Sequence, residues 1–575
     1  MRNQYIKTRY YEKTFFILLV CSFSCSAWQA ESPSSGVIIP KILSTQQQKN
    51  LNILCRVWGF IKYFHPKVAD GKVEMDKELF RLIPGILSAA DDTARDQLLD
   101  KWVQELGELT LVDSMPLSRN GFIEPDFKWL EKDSLIEGAL RIRLQYVFKN
   151  RHRGESYYVH KVKNVGNLEF STEIKYEDIK GEDAGMRILA LFRYWNAIEY
   201  FFPSKQLTAD NWNKVLQKFI PLFASCKTDL DYRITCLQLV STIHDTHASN
   251  ISGDPLIQDY LGEYAIPADF GYVDGQMTLN YFFSDYLQSV SNLLPGDQIL
   301  QVNGHAINDI MMDSIKQYVT ASNISSLTNI VMNRIRRSNH KRNELIIKRG
   351  DEKIKLEVDY LPVYGNGGPK TKGRFAYPMY QKIQDSIGYI CVGKIKIDSL
   401  SQIFERFQKT KGLIIDIRLY PAEFVPFALA KYLKPTPSAF VKFTEPDLDL
   451  PGRFIMTDPL VNGQINPDYY KGKIVILVDG WTQSQAEYTT MALRTAPGAV
   501  VMGSQTSGAD GNVTNIFLPG GMSSYFSGLG VYYPDGQATQ GIGIIPDIEV
   551  KPTLEGIREE KDELLEAAIK YIQVK

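Results

Sequence analysis

Cysteine is scarce in this 575-residue sequence: there are six, and two of them, Cys21 and Cys25, lie near the start. The other four, Cys55, Cys226, Cys236 and Cys391, make no CxxC pair and no zinc-ribbon spacing, which excludes a cysteine-built zinc site. An oxidising compartment would permit a Cys226–Cys236 bridge, but spacing alone does not establish one, and the four read as buried free thiols. No charge of one sign dominates: 65 basic residues stand against 66 acidic ones, a net charge of −1, so no global field draws the chain to nucleic acid. A phosphate loop, a dinucleotide fingerprint and an HExxH pattern are all missing, and no cofactor or metal is expected. The one close histidine pair, His244 and His247, lacks a third ligand. Hydrophobic residues make up 44% and charged residues 23%, the composition of ordinary globular domains. This excludes a disordered scaffold, a collagen-like fibre and a polytopic membrane protein. At roughly 150 residues per domain the length suggests about four folding units.

The N-terminus carries Arg2, Lys7, Arg9 and Lys13, followed by a short apolar run from Phe15 to Ala27. A basic start, an apolar stretch too short to span a bilayer and small residues at Cys25, Ser26 and Ala27 read as a secretory signal, residues 1–27, cleaved near Ala27. The alternatives are an uncleaved anchor and a lipid-modified Cys21 or Cys25. Either way the chain is expected to be exported, periplasmic or extracellular, with no integral membrane span once the signal is removed.

A duplication follows. The segment from Cys55 to Pro66 returns as Phe192 to Pro203 at an offset of 137, with six of twelve positions identical. The same offset pairs Pro84 with Pro221. Leu98, Leu99, Trp102, Val103 and Leu106 follow helical spacing. A period this long does not fit a solenoid repeat, and the pattern predicts two helical modules, 45–110 and 181–255. The second copy ends in His244 and His247, where the first has Gly107 and Thr110. Packing residues match between copies and the histidines do not, although a capping role for His247 would also fit. Between the copies, Ile142, Leu144, Tyr146 and Phe148 alternate with Arg141, Arg143, Gln145 and Val147, and this period of two predicts a β-rich domain over 111–180. Its basic cluster (Arg151, His152, Arg153, Lys161 and Lys163) reads as a solvated face, with anion binding the alternative.

Residues 260–362 contain Leu294-Pro-Gly-Asp-Gln-Ile-Leu-Gln-Val-Asn-Gly-His305, in which a Pro-Gly turn, an apolar strand and an Asn-Gly turn make a compact hairpin signal. The dozen residues resemble the centre of a PDZ domain. That resemblance implies docking of peptide chain ends by strand addition and carboxylate capture, with Ala268 to Tyr272 standing where the carboxylate loop would lie.

From about 375 to 575 the pattern becomes α/β. Ile387–Val392, Gly412–Ile417, Ile474–Val478 and Ala499–Met502 are continuous apolar runs suited to a sheet covered on both faces. After the third comes Asp479-Gly-Trp-Thr-Gln-Ser484-Gln-Ala-Glu487 and a helical stretch. A serine at a helix N-terminus has free N–H groups and a positive dipole end beside it, and the Gln485 N–H would stabilise an oxyanion formed at Ser484. The competing reading is structural, because Ser484-x-x-Glu487 is also a capping box.

Ser-x-Ala-Glu after a strand, then Gly503-Ser-Gln-Thr-Ser-Gly508, then Gly541-Ile-Gly-Ile-Ile-Pro-Asp-Ile548 resemble, in order and spacing, the C-terminal processing (tail-specific) protease family over about 180 to 565. The resemblance implies a multidomain α/β fold: a crotonase-like peptidase core, a PDZ-like β domain and, here, duplicated N-terminal helical modules. It also implies a serine peptidase acting on polypeptides through Ser484. The family's usual lysine base would fall on Ala509, which accepts no proton. The sequence is instead similar to the tricorn-like branch, whose base is a histidine, and His247 in Asp245-Thr-His-Ala248 matches it. The other histidines (His65, His152, His160, His305 and His340) lie among repeat aromatics, basic surface or turn sequence. By the same resemblance Thr246 and Gln540 are candidates to orient the base, Gln540 standing where the family has glutamate. The family's glycine-rich loop after Asp-Leu-Arg is replaced by Leu419-Tyr-Pro-Ala422. Two readings follow: an exported serine endopeptidase, or a catalytically weak or inactive relative that binds peptides. Substrate identity, cleavage specificity and oligomeric state are not encoded in these patterns.

Overall fold

The computed structural model describes residues 34–109, 121–131, 135–163, 165–179, 181–208, 210–249, 254–283, 285–310, 316–363 and 377–574. The expected signal segment and its two cysteines lie outside the described residues. The molecule is a mixed α/β assembly, helical in its N-terminal part and sheet-based in the rest.

The offset of 137 recurs in the helices themselves. Helices Met75–Ser88 and Asp92–Glu105 correspond to Trp212–Ser225 and Asp229–Ser241, and both copies open on a long helix, Thr45–Phe64 and Ala184–Phe201. Each long helix anchors the next through a tryptophan. Trp58 Nε1 donates to Met75 O at 2.7 Å and Trp195 Nε1 to Trp212 O at 2.9 Å, each acceptor being the first residue of the following helix. The long helices touch where Gly59 meets its repeat counterpart Asn196. A Cβ on Gly59 would lie 1.8 Å from Asn196 Oδ1, while Asn196 Nδ2 donates to Cys55 O and Phe192 O. One copy therefore carries the bridging amide and the other the space for it.

The β-rich expectation for 111–180 is corrected by the structure. Gly138–Lys149 is a helix, and the described part of this segment holds only the two-residue strands His160–Lys161 and Leu168–Glu169. The buried positions are Leu140, Leu144 and Val147, spaced four and three apart, whereas Ile142 is 69% exposed and Tyr146 also faces solvent. Two exposed apolar side chains imitated a strand alternation on what is an amphipathic helix. All four described cysteines are free and buried, so Cys226 and Cys236 form no bridge.

The middle region builds an antiparallel sheet in the order Glu352–Asp359, Arg342–Arg349, Gln298–Val302, Gln276–Phe282, Ala268–Val273. Asn303 and Gly304 both adopt positive φ, 50° and 79°, and turn the chain so that Val302 pairs with His305, as the Asn-Gly signal requires. Asp297 is buried, takes the Leu294 N–H and pairs with Arg349.

Each of the four apolar runs of the C-terminal region contains a strand of one six-stranded sheet. Its order is Tyr380–Ile383, Ile387–Cys391, Gly412–Asp416, Lys473–Val478, Ala499–Gly503, Ile548–Glu549, with only the first pair antiparallel. The runs are continuous because both faces are covered. Leu413, Ile415, Ile474 and Ile476 pack with helices Leu400–Phe407, Pro426–Leu433 and Gln485–Leu493, while Ile414, Val475 and Leu477 pack under the C-terminal helix Glu563–Gln573. A separate hairpin, Val513–Leu518 with Met522–Ser527, leaves this layer. Its Ile516, Leu518, Met522 and Phe526 enter the core of the helical modules. That hairpin is one of the places where the two halves of the molecule join.

Candidate active site

Ser484 follows strand Lys473–Val478 through a five-residue loop and precedes helix Gln485–Leu493. Its backbone is held at φ 57°, ψ −123°, a conformation that costs a non-glycine residue energy and that sharp strand-to-helix turns impose on nucleophiles. Glu487 fixes the turn. This fully buried carboxylate accepts from Ser484 N at 3.1 Å, Ala509 N at 3.1 Å, Gly508 N at 2.7 Å and Thr506 Oγ1 at 2.5 Å. Ser484 N also reaches Ala509 O at 3.0 Å. Gly543, at φ 74°, closes the ring; a Cβ there would lie 2.6 Å from Thr506 Oγ1 and 2.9 Å from Glu487 Oε1. The capping-box reading and the nucleophile reading thus describe one arrangement.

Gln485 is the first residue of the helix, and no acceptor among the described residues takes its N–H. Its side chain donates from Nε2 to Glu423 O at 2.9 Å and ties down the loop after Arg418. In that loop Ile417 N, Arg418 N and Ala422 N are already bonded and Pro421 has no N–H. Leu419 N and Tyr420 N, the next N–H groups after Arg418, have no acceptor among the described residues. Tyr420 and Phe424 in that loop, and Trp481 in the serine loop, are exposed.

The second copy of the helical repeat delivers His247. After helix Asp229–Ser241 the chain turns at His244, φ 49°, into a short 3-10 turn, Thr246–Ser249. Asp245 is fully buried there. Its carboxylate accepts from His247 N at 3.0 Å, Ser527 N at 2.6 Å and Ser527 Oγ at 3.2 Å. Ser527 Oγ in turn lies 2.9 Å from His247 Nδ1. The other ring nitrogen, Nε2, is buried and bonds neither Ser484 nor any other group among the described residues. Burial pushes the imidazole pKa down and the Asp245 charge partly opposes this, so the ring is neutral near pH 7 and has a lone pair to offer.

Three further contacts connect the histidine turn to the serine loop. Thr246 Oγ1 donates to Ser507 O at 3.3 Å, Ser507 N donates to Thr482 O at 3.0 Å, and a Cβ on Gly511 would lie 3.3 Å from Ser527 Cβ. The loop of the serine, the 506–511 segment and the turn of the histidine therefore converge. Thr246 Oγ1 is otherwise bonded to Ser322 and Ser326, and not to the imidazole. Gln540 is buried, with Oε1 and Nε2 both unpartnered. It lines a cavity of about 270 Å³ with His244, Ser322, Tyr532, Gly541 and Ile542. Neither sequence-based orienting candidate bonds His247; Asp245 and Ser527 hold it. Asp245 stood in the quoted Asp-Thr-His motif without a role, and Ser527, 280 residues away, carried no sequence signal.

A last buried acid, Asp510, lies behind the serine loop. Thr539 Oγ1 is 2.8 Å from Asp510 Oδ1 and 2.9 Å from Val531 O. One hydroxyl proton cannot serve both acceptors. A protonated Asp510 that donates to Thr539, while Thr539 donates to Val531 O, pairs all three groups and leaves only Asp510 Oδ2 without a partner among the described residues. Burial and the neighbouring Glu487 charge push the Asp510 pKa well up, in the same direction.

Residues 386–550 match the model of Peptidase family S41. Among the curated proteins nothing matches. Among solved structures, a mutant form of CPAF aligns at 13% identity and TM-score 0.51 over 68% of this chain and 98% of that one. Mature CPAF complexed with lactacystin aligns at 13% and 0.50 over the same shares. The photosystem II D1 C-terminal processing protease aligns at 16% and 0.37, over 65% and 97%. The likeness to CPAF is one of fold.

Proposed function

We propose, from the match of residues 386–550 to the model of Peptidase family S41, that this chain is a serine endopeptidase in which Ser484 is the nucleophile and His247 the general base. The observation that carries the reading is the strained backbone of Ser484 at the head of a helix, beside the free Gln485 N–H. Ser484 Oγ attacks the scissile carbonyl and its proton passes to His247 Nε2, while the developing oxyanion takes the Gln485 N–H. The imidazolium returns that proton to the leaving amine, and water hydrolyses the acyl-enzyme by the same route. Nε2 and Oγ are not bonded without substrate, and catalytic hydrogen bonds of this kind tighten in the substrate complex.

The finer assignments belong to the same reading. The C-terminal region is a crotonase-like core, and 260–362 is a PDZ-like domain offering the edge strand Ala268–Val273 to peptide ends. The protein works after export, in the periplasm or outside the cell. No helix among the described residues is long and apolar enough to cross a membrane.

The test is hydrolysis of unstructured polypeptides by wild type, Ser484→Ala and His247→Ala, together with labelling by a fluorophosphonate. Turnover and labelling by wild type, with loss of at least about 10³-fold in both variants, is the expected result. Equal rates in all three would end the proposal. Peptide binding without turnover or labelling would leave the binding relative instead.

A further inference from the structure

We propose that Asp245 and Ser527 are the positioning residues of the base, a hydroxyl-bridged relay from carboxylate to imidazole that replaces the roles expected of Thr246 and Gln540. The inference rests on the reading of His247 as the general base.

The bonding leaves little freedom. Asp245 Oδ2 is occupied by Ser527 N, and Oδ1 receives His247 N and Ser527 Oγ. An ionised carboxylate only accepts, so the single Ser527 hydroxyl proton is directed to Oδ1. Ser527 Oγ must then be the acceptor toward His247 Nδ1, 2.9 Å away. The ring proton therefore sits on Nδ1 and the lone pair on Nε2. A direct carboxylate contact is too long for a hydrogen bond, with Nδ1 and Asp245 Oδ1 3.7 Å apart, but close enough for charge to act.

Proton accounting follows the same path. When the Ser484 Oγ–carbon bond forms, the carbonyl π pair moves onto oxygen and the Ser484 proton moves to Nε2. The Nδ1 proton stays on Nδ1, now part of an imidazolium whose bond to Ser527 is charge-assisted. The Ser527 proton stays on its oxygen, and Asp245 gains no proton. The ionisable groups facing this relay are Asp510, from the segment after Gly508, and Tyr194, from helix Ala184–Phe201; the Asp245 charge pushes the pKa of each up, in the same direction as burial. The one charge acting on the ring is that of Asp245. The Gln540 amide, neutral and without a hydrogen-bond partner among the described residues, supplies no charge, and Asp245 supplies the one that the glutamine lacks.

The relay is tested in the full-length chain with Ser527→Ala, by pH-dependent kinetics on an unstructured peptide and by 15N spectra of histidine-labelled protein. The expected result is a kcat lower by about 10- to 100-fold, the worth of one charge-assisted bond, at a KM changed less than about twofold. The acid limb of kcat/KM shifts to lower pH, because the imidazolium has lost its acceptor. Wild-type spectra place the proton on Nδ1 and the variant mixes tautomers. An unchanged acid limb together with an unchanged tautomer overturns the relay, as does a wild-type proton on Nε2. If wild type hydrolyses nothing, the peptidase reading fails while the spectra still decide the relay. Asp245→Asn, a second variant for the case that Ser527→Ala does not fold, is expected to move the same limb in the same direction.

Discussion

Behind the serine, Glu487 and Asp510 divide one proton according to their donors. Burial pushes both carboxyl pKa values up. Four donors hold Glu487 ionised, whereas Asp510 has one hydroxyl neighbour that is itself a donor to Val531 O. The folded chain thus carries a proton on Asp510 that the unfolded chain releases above the ordinary carboxylate range. Stability from this site is full at low pH and falls as pH rises, by about 1.4 kcal/mol per unit, until the folded-state pKa is reached. Asp510→Asn is expected to remove that slope, so that its stability relative to wild type is greater at pH 8 than at pH 5. Urea unfolding at both pH values measures it, and a relative stability no greater at pH 8 than at pH 5 would mean that Asp510 is ionised. Sequence reading at this scale singled out Ser484, Gln485 and His247 because each sits in a local motif. It could not find Ser527 or Asp510, whose roles depend on which distant atoms arrive beside them.

Among the elements, the crossing of the two long helices is the sharpest constraint. Gly59→Ala sets a methyl against the Asn196 amide, and overpacking of this kind costs typically 1–3 kcal/mol. Asn196→Ala alone forfeits its bonds to Cys55 O and Phe192 O. The double variant is expected to fall short of the sum of the two losses by about 1 kcal/mol or more, since the clash disappears with the amide. Additive losses in denaturant titrations would count against the pairing. The duplication and the sheet strands were readable because their patterns are long or closed on both faces. Helix Gly138–Lys149 was not, because Ile142 and Tyr146 are apolar yet exposed and so counterfeit the wrong period.

At the level of the whole molecule, the proposed base belongs to the helical half and the proposed nucleophile to the sheet half, and hairpin Val513–Ser527 is one of the joints between them. Residues 375–575 expressed alone would bare Ile516, Leu518, Met522 and Phe526, all buried in the intact chain. They are expected to associate, as light scattering would record, and to cleave nothing. A monodisperse fragment with wild-type turnover would refute the division of labour. The same joint has a bearing on biosynthesis. Synthesis runs from the N-terminus, so on the proposed reading the imidazole is made long before the hydroxyl it would serve. A chain interrupted before hairpin Val513–Ser527 holds His247 without its Ser527 partner and leaves the helical core without Ile516, Leu518, Met522 and Phe526.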